Sequence, residues 1–270
     1  MTRATGPYAI DSLAGFIATV VQCCPNHLWT FRGQAADLPL VPKAFRDEFY
    51  LSPIEAETLD DLTRFERWRD QGIAFESNFP NGYLEQLALA QHYGLATRLM
   101  DWTANAAIAL YFATECRLVK DAIPKDDGAA NLHSSIDTGD DGAVYLYRKP
   151  RVRAAVTEHI KSSEDLRKCS DVLFYRPRLV NRRILAQDGE FTIHPCRRPM
   201  EVQAFAAEAA RSANEGTVMK MCVPGDKKKH LQYQLRAIGI QARTAYPDLE
   251  GLAKSTNWQT NWLVNRKPPY

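Results

Sequence analysis

The chain has 270 residues, 45% of them hydrophobic and 24% charged, and its formal net charge is +2 at pH 7. This length allows a hydrophobic core that needs no disulfide or metal to stabilise it, and the composition is that of a soluble globular protein. Because the sequence has no run of about 20 apolar residues and no basic-then-apolar N-terminus, we expect a cytoplasmic protein with no membrane span, secretory signal or membrane partner.

Hydrophobic patterns predict elements along the whole chain. Helices are predicted over 11–21, 54–75, 84–93, 106–119, 151–168 and 227–238, and strands over 26–32, 95–102, 143–149 and 217–223, with two short strands hinged at Gly189 within 182–195. The helix 106–119 is apolar nearly all round and is capped by Thr103 or Asn105, so we expect it to be buried. No repeat occurs and no linker divides the chain, which favours a single α+β domain.

The cysteines and histidines form no metal-binding pattern. The six cysteines include no C-x-x-C pair, and "HPC" at 194–196 has no second His or Cys pair to complement it, so we expect no metal. Motifs of the G-x-S-x-G, G-x-x-x-x-G-K-[ST] and H-E-x-x-H types are also absent, as is G-x-G-x-x-G after a strand, which excludes the chemistries that these motifs carry.

The first predicted strand ends in a cation. "WTFRGQ" at 29–34 places Arg32 and Gly33 directly after an apolar and aromatic run. Such an ending is either an ordinary turn with a solvated arginine or a sheet edge that presents a charge to a ligand.

Two motifs together resemble the FRG family. "FRGQ" is followed about sixty residues later by "AQHYGLATRLMDWTANAAIALYFA", and the later segments "RRILAQDGEFTIH" and "IGIQARTAYPDLEGLA" are similar to further family pieces. The resemblance spans 26–253, which leaves an N-terminal helix in 1–25 and a C-terminal tail in 254–270. Ala96, Met100 and Ala106 depart from the usual family residues, and we interpret them as packing changes.

The order of these elements also resembles ADP-ribosyltransferases of the Arg-Ser-Glu type. In those enzymes a first strand ends in Arg-Gly, a later strand carries a Ser/Thr-rich motif, and an Ala-x-x-Phe helix follows. The resemblance implies a split mixed or antiparallel sheet flanked by helices, and a cleft that takes NAD as its substrate. It implies NAD-binding roles for Arg32, Gly33, Gln34, Thr97, Arg98 and Trp102.

Arg32 suits the diphosphate of NAD because a guanidinium makes bidentate, charge-assisted hydrogen bonds to phosphate oxygens. Gly33 would let the backbone approach the ligand closely. Each further residue also has a structural interpretation. Instead of contacting the ligand, Asp101 could cap the buried helix or pair with Arg98, and Trp102 could belong to the core.

The catalytic glutamate of the third strand has no direct counterpart. Aligning Gly189 with the glycine of that strand puts Arg183 at the expected position. Glu190 and Asp101 are the remaining carboxylates, and we predict that one of them acts on the ribose. Gln187 and His92 are predicted to position the ligand. Their structural alternatives are a contact to buried backbone for Gln187 and a hydrogen bond to Glu85 for His92.

Two functions are consistent with these motifs. The first is an NAD-dependent ADP-ribosyltransferase that modifies a protein or nucleic acid, as a toxin or phage-defence effector with an antitoxin or regulatory protein as partner. The second is a catalytically degraded module of the same fold that binds nucleotide or nucleic acid. It would use Arg32 and the basic stretch 148–183, where Lys and Arg exceed Asp and Glu.

Overall fold

The computed structural model describes residues 9–49, 59–76, 79–115, 118–119, 136–137, 139–149, 157, 159–170, 172–177, 186–195 and 218–265. The helices are α1 Leu13–Cys23, α2 Asp61–Gly72, α3 Tyr83–His92, α4 Ala106–Thr114, α5 Ser163–Lys168, α6 Lys228–Ala237, α7 Ala242–Ala245 and α8 Leu249–Asn265. The strands are β1 Trp29–Gln34, β2 Leu99–Thr103, β3 Leu118–Val119, β4 Ile136–Asp137, β5 Gly142–Arg148, β6 Leu173–Tyr175, β7 Gly189–Ile193 and β8 Val218–Val223. Short 3-10 turns cover Lys43–Phe45, Asp47–Phe49 and Gly225–Lys227.

Six strands form one sheet in the order β6-β7-β2-β1-β5-β8, and every neighbouring pair is antiparallel. Strands β3 and β4 pair separately. The predicted α+β class with a helix-flanked sheet is confirmed. None of the helices in the described part of the chain is long and apolar enough to cross a membrane.

Several predicted boundaries move. The first helix begins at Leu13, two residues later than predicted, because the side chain of Ser12 caps it by accepting a hydrogen bond from Gly15 N. Helix α2 begins after the N-cap Asp60, and residues 54–58 of the predicted helix lie outside the described residues. Residues 151–156 and 158 of the predicted helix 151–168 and the segment 182–185 lie outside them too, and the described part of that helix covers only Ser163–Lys168. The left-handed residue before β7 is Asp188, with φ of 45°, rather than the predicted hinge Gly189.

The helices pack on one face of the sheet in two apolar clusters. One cluster joins α1, α4 and α6 to β1, β5 and β8, and the other joins α2, α3 and α5 to β2, β6 and β7. Helix α4 is buried as predicted, and Asn105 caps it by accepting hydrogen bonds from Ala107 N and Ile108 N. It ends at Thr114, however, five residues before the predicted end.

Gly33 allows α4 to lie directly on β1. A Cβ at this position would lie 1.8 Å from Ala109 O and 2.8 Å from Ala113 N, both in the backbone of α4. Helix α4, rather than a ligand, therefore occupies the space that the missing side chain leaves.

The sheet opens between its two central strands. Strands β1 and β2 share one register pair, Phe31 opposite Thr103, whereas β1 and β5 pair along all six residues from Trp29 to Gln34. Next to this pair, the side chain of Arg32 connects β1 to β2, since its Nη1 donates to the backbone carbonyl of Asp101 at 2.7 Å. The opening lies at the ends of α3 and α4 and positions the site described next.

Candidate functional site

A cleft of about 270 Å³ lies on the helix-bearing side of the opening, between α3 and α4. The predicted residues that line it are Arg32, Gly33, His92, Asp101, Trp102, Gln187 and Glu190. Gln34, Thr97 and Arg98 do not line it. Phe31, Phe112 and Phe191 supply aromatic walls.

Arg32 and Asp101 meet at the mouth of this cleft. Arg32 Nη1 lies 3.8 Å from Asp101 Oδ2, in addition to its hydrogen bond to the Asp101 carbonyl. The Arg32 side chain is 16% exposed and that of Asp101 is 59% exposed. Burial lowers the pKa of Arg32, while the Asp101 carboxylate opposes this shift and Arg46 adds to it. An arginine stays protonated at neutral pH, so the cleft mouth holds a guanidinium beside an accessible carboxylate.

Gln91, at the end of α3, fixes the carboxylate from the other side. Its Nε2 donates to Asp101 Oδ1 at 2.7 Å, and its Oε1 accepts a hydrogen bond from the buried Thr97 hydroxyl. Thr97 was predicted to contact the ligand, whereas Gln91, in the same motif, was not. The turn at Gly94, with φ of 94°, returns the chain so that Gln91 faces Asp101 ten residues later.

A second carboxylate, Glu115, lines the far wall. Both of its oxygens accept hydrogen bonds from Tyr246 Oη, at 3.1 and 3.0 Å. Burial and the Glu115 charge raise the pKa of the Tyr111 hydroxyl. Glu115 was not predicted as a site residue because the predicted helix extends to 119, whereas the helix ends at Thr114 and Glu115 lines the cleft.

Gln187 links two elements of the cleft wall through hydrogen bonds. Its side-chain Nε2 donates to Ala245 O at 2.7 Å, and its carbonyl accepts a hydrogen bond from the Thr103 hydroxyl. These contacts hold β2 and α7 together at the site. They match the structural alternative for Gln187, a contact to buried backbone.

Glu190 lies on the opposite face of the sheet from Asp101. The register pairs Trp102 with Glu190 and Asp101 with Phe191, and side chains alternate between faces along a strand. The Glu190 carboxylate is fully buried, and Lys149 Nζ donates to its two oxygens at 3.0 and 3.2 Å. Glu190 borders the cleft, but its charge is already neutralised by a buried lysine.

Arg98 serves the core rather than the cleft. Its Nε and Nη2 bind the two carboxylate oxygens of Asp61, both at 2.8 Å, and both side chains are buried. Asp101 therefore pairs with Arg32, and the alternative pairing with Arg98 is wrong. Trp102 is also buried, and its Nε1 donates to Thr192 Oγ1 at 2.9 Å.

The remaining predicted residues lie at the edges of the site. Gln34 Oε1 accepts from Arg32 Nε at 3.5 Å, and Gln34 Nε2 donates to Leu38 O at 2.7 Å. The ring of His92 lies 5.1 Å from that of Tyr93 and borders the cleft. Among the described residues, no group of three or more His, Cys, Asp or Glu side chains is arranged to hold a metal ion.

His194 lies on the second face of the sheet and makes a pH-dependent contribution to stability. Its Nε2 lies 2.9 Å from Thr192 Oγ1, and burial, together with the charge of Arg32, lowers its pKa to about 3. The unfolded chain binds this proton near pH 6.5 and the folded chain does not, so stability is retained above about pH 6.5 and falls as the pH decreases toward 3.

We expect the free energy of unfolding to fall less in His194→Gln than in the wild type between about pH 7 and about pH 4.5. The difference between the two proteins should shrink by about 1 kcal/mol per pH unit as the pH falls. Urea unfolding at several pH values measures this difference. His27→Gln is the matched control because His27 is exposed. Parallel curves for the wild type and His194→Gln would contradict the prediction.

One comparison with known proteins matches the part of the chain that contributes Arg32, Gln91 and Asp101 to the site. Residues 27–122 match the family model of the FRG domain, which includes β1, α3, β2 and α4 and therefore Arg32, Gln91 and Asp101. No curated protein and no solved structure matches the chain. The FRG resemblance is thus confirmed over 27–122, and its extension to 253 stays a prediction.

Proposed function

We propose that the cleft binds NAD and transfers its ADP-ribose group to a macromolecular acceptor, a protein or a nucleic acid. One observation carries the proposal: Arg32 and Asp101 hold a guanidinium and an accessible carboxylate side by side at the mouth of one cleft. The guanidinium complements the diphosphate of NAD, and the carboxylate complements the positive charge that develops on the ribose. The role of toxin or phage-defence effector, with an antitoxin or regulatory partner, is proposed from the family resemblance alone.

The chemistry requires one bond to break and one to form. The bond between nicotinamide N1 and ribose C1′ breaks, and its electron pair leaves with the nicotinamide. The cationic C1′ is stabilised by the nearby carboxylate of Asp101 until a nucleophilic atom of the acceptor bonds to it. The proton of that nucleophile passes to a carboxylate of the cleft or to water.

The size and walls of the cleft fit one half of this ligand. At about 270 Å³ it is close to the lower end of small-molecule pockets, which is about 300 Å³. Phe31, Phe112 and Phe191 offer apolar surface for a planar nicotinamide ring. The remainder of a dinucleotide must extend past Arg32.

A second function, nucleotide or nucleic-acid binding without catalysis, is favoured by one observation. The third-strand carboxylate, Glu190, is buried against Lys149 and is not available to a ribose. In this alternative Arg32 binds a phosphate and no bond is cleaved. Of the basic stretch 148–183, which this alternative also invokes, residues 150–156, 158, 171 and 178–183 lie outside the described residues.

Labelled NAD tests both functions. The wild type, incubated with NAD and mixed protein and nucleic-acid acceptors, should release nicotinamide and label an acceptor. Arg32→Gln should bind NAD about tenfold or more weakly, since a charge-assisted hydrogen bond is lost. Arg67→Gln, on the exposed side of α2, is the matched control. NAD binding without nicotinamide release supports the second function, and the absence of NAD binding refutes the first function and leaves only nucleic-acid binding of the second.

A further inference from the structure

A second cavity adjoins the cleft at Arg32. It measures about 140 Å³ and shares Arg32, Gln91 and Asp101 with the cleft, so these residues stand at the junction of the two spaces. The 3-10 turn Lys43–Phe45 and its surroundings form the other side of this outer cavity.

The outer cavity is strongly cationic. Lys43 and Arg46 line it together with Arg32, and Asp101 is the sole carboxylate among its lining residues. Within the described part of the chain neither Lys43 nor Arg46 forms an ion pair, whereas Arg32 pairs with Asp101. The charge of Arg46 also lowers the pKa of Arg32, because like charges repel, although burial of Arg32 is the larger cause.

Backbone contacts hold the two outer cations in place. Lys43 Nζ donates to Gly94 O at 2.9 Å, and Arg46 Nε donates to Val41 O at 3.3 Å. The remaining guanidinium donors of Arg46 form no hydrogen bond with another described residue. Both hydrogen bonds are exposed to solvent, and they restrict the two side chains, so less conformational entropy is lost when these side chains bind an anion.

We propose that the outer cavity is a subsite for a phosphoryl group of the ligand, bound by Arg46 and Lys43, with Arg32 at the junction. The inference rests on the proposed function, since one ligand is to fill both spaces. It narrows the substrate class to compounds with a diphosphate, such as a dinucleotide. A single phosphate at Arg32 would leave the repulsion among the outer cations uncompensated.

Calorimetric titration of the full chain tests the subsite with NAD, inorganic pyrophosphate, nicotinamide riboside and a short single-stranded oligonucleotide. Arg46→Gln and Lys43→Met should raise the Kd for NAD and for pyrophosphate about tenfold, because each loses a charged contact, and should leave the Kd for the riboside within about twofold. Arg67→Gln is the matched control and should bind all four as the wild type does. Circular dichroism confirms that each variant is folded.

The outcomes separate this inference from the proposed function. NAD binding that is equally strong in Arg46→Gln and Lys43→Met overturns the subsite and leaves the proposed function standing. A wild type that binds pyrophosphate through Arg46 but does not bind NAD supports the subsite and refutes the proposed function. If only oligonucleotide binding depends on Arg46, the subsite belongs to a nucleic-acid backbone and the inference is wrong. If the wild type binds neither NAD nor pyrophosphate, the subsite and the proposed function are both refuted.

Discussion

Asp101→Asn is expected to reduce the rate of nicotinamide release by about 100-fold or more, because the ribosyl cation loses the negative charge that stabilises it. The Kd for NAD should change by less than about threefold, since the guanidinium that binds the diphosphate remains. Single-turnover measurement of nicotinamide release at saturating NAD separates the two quantities.

The substitution removes the charge and keeps the local structure. An asparagine at 101 retains an oxygen that accepts from Gln91 Nε2, and the carbonyl that accepts from Arg32 belongs to the backbone. Glu115→Gln is the matched variant, because Glu115 also lines the helix-bearing side of the cleft with a carboxylate. The amide oxygen of a glutamine at 115 can still accept a hydrogen bond from Tyr246 Oη. Full activity in Asp101→Asn with a large loss in Glu115→Gln would move the role from Asp101 to Glu115.

The elements around the site follow from local sequence signals. The spacing of apolar residues predicts α3 and α4 within a few residues, and Gly94 ends the first of these helices in a left-handed conformation. The apolar run before Arg32 predicts β1. These signals lie within one or two turns of the chain, so they can be read without knowing the tertiary structure.

The ionic partners do not follow from such signals. Arg98 binds Asp61, which is 37 residues away, and Lys149 binds Glu190, which is 41 residues away. The predicted alternative partner of Arg98 was Asp101, three residues along the chain, because the sequence does not show that α2 lies beside β2. Pairing across a sheet or between helices depends on register and packing, and periodicity does not specify either.

The predicted C-terminal end of α4 determined whether Glu115 was considered as a site residue. The apolar pattern of α4 ends at Thr114, but a predicted end at 119 made Glu115 one more residue of a helix. Glu190 was predicted as one of two carboxylates that could act on the ribose, whereas in the structure this buried carboxylate pairs with Lys149. The side-chain alternation was predictable, and the identity of the ion partner was not.

Glu190→Leu is expected to lower the free energy of unfolding by about 3–5 kcal/mol, because it leaves the Lys149 ammonium buried without its partner. Lys149→Met should cost less than this, because Arg176 Nη1 lies 3.8 Å from Glu190 Oε1 and remains as a cationic partner. The double variant Lys149→Met/Glu190→Leu should recover most of this loss, since two apolar side chains of similar volume replace a buried ion pair. Urea unfolding of the four proteins measures the coupling.

The same double variant separates a structural glutamate from a catalytic one. Lys149 and Glu190 lie on the face of the sheet away from Asp101, so a stable double variant should release nicotinamide at the wild-type rate. Arg176, whose Nη1 lies 3.8 Å from Glu190 Oε1, is half exposed and pairs with Asp188 at 2.6 Å, so it retains a partner when Glu190 is removed. A double variant that is as stable as the wild type but inactive would return Glu190 to the catalytic role and place the reaction on the second face of the sheet.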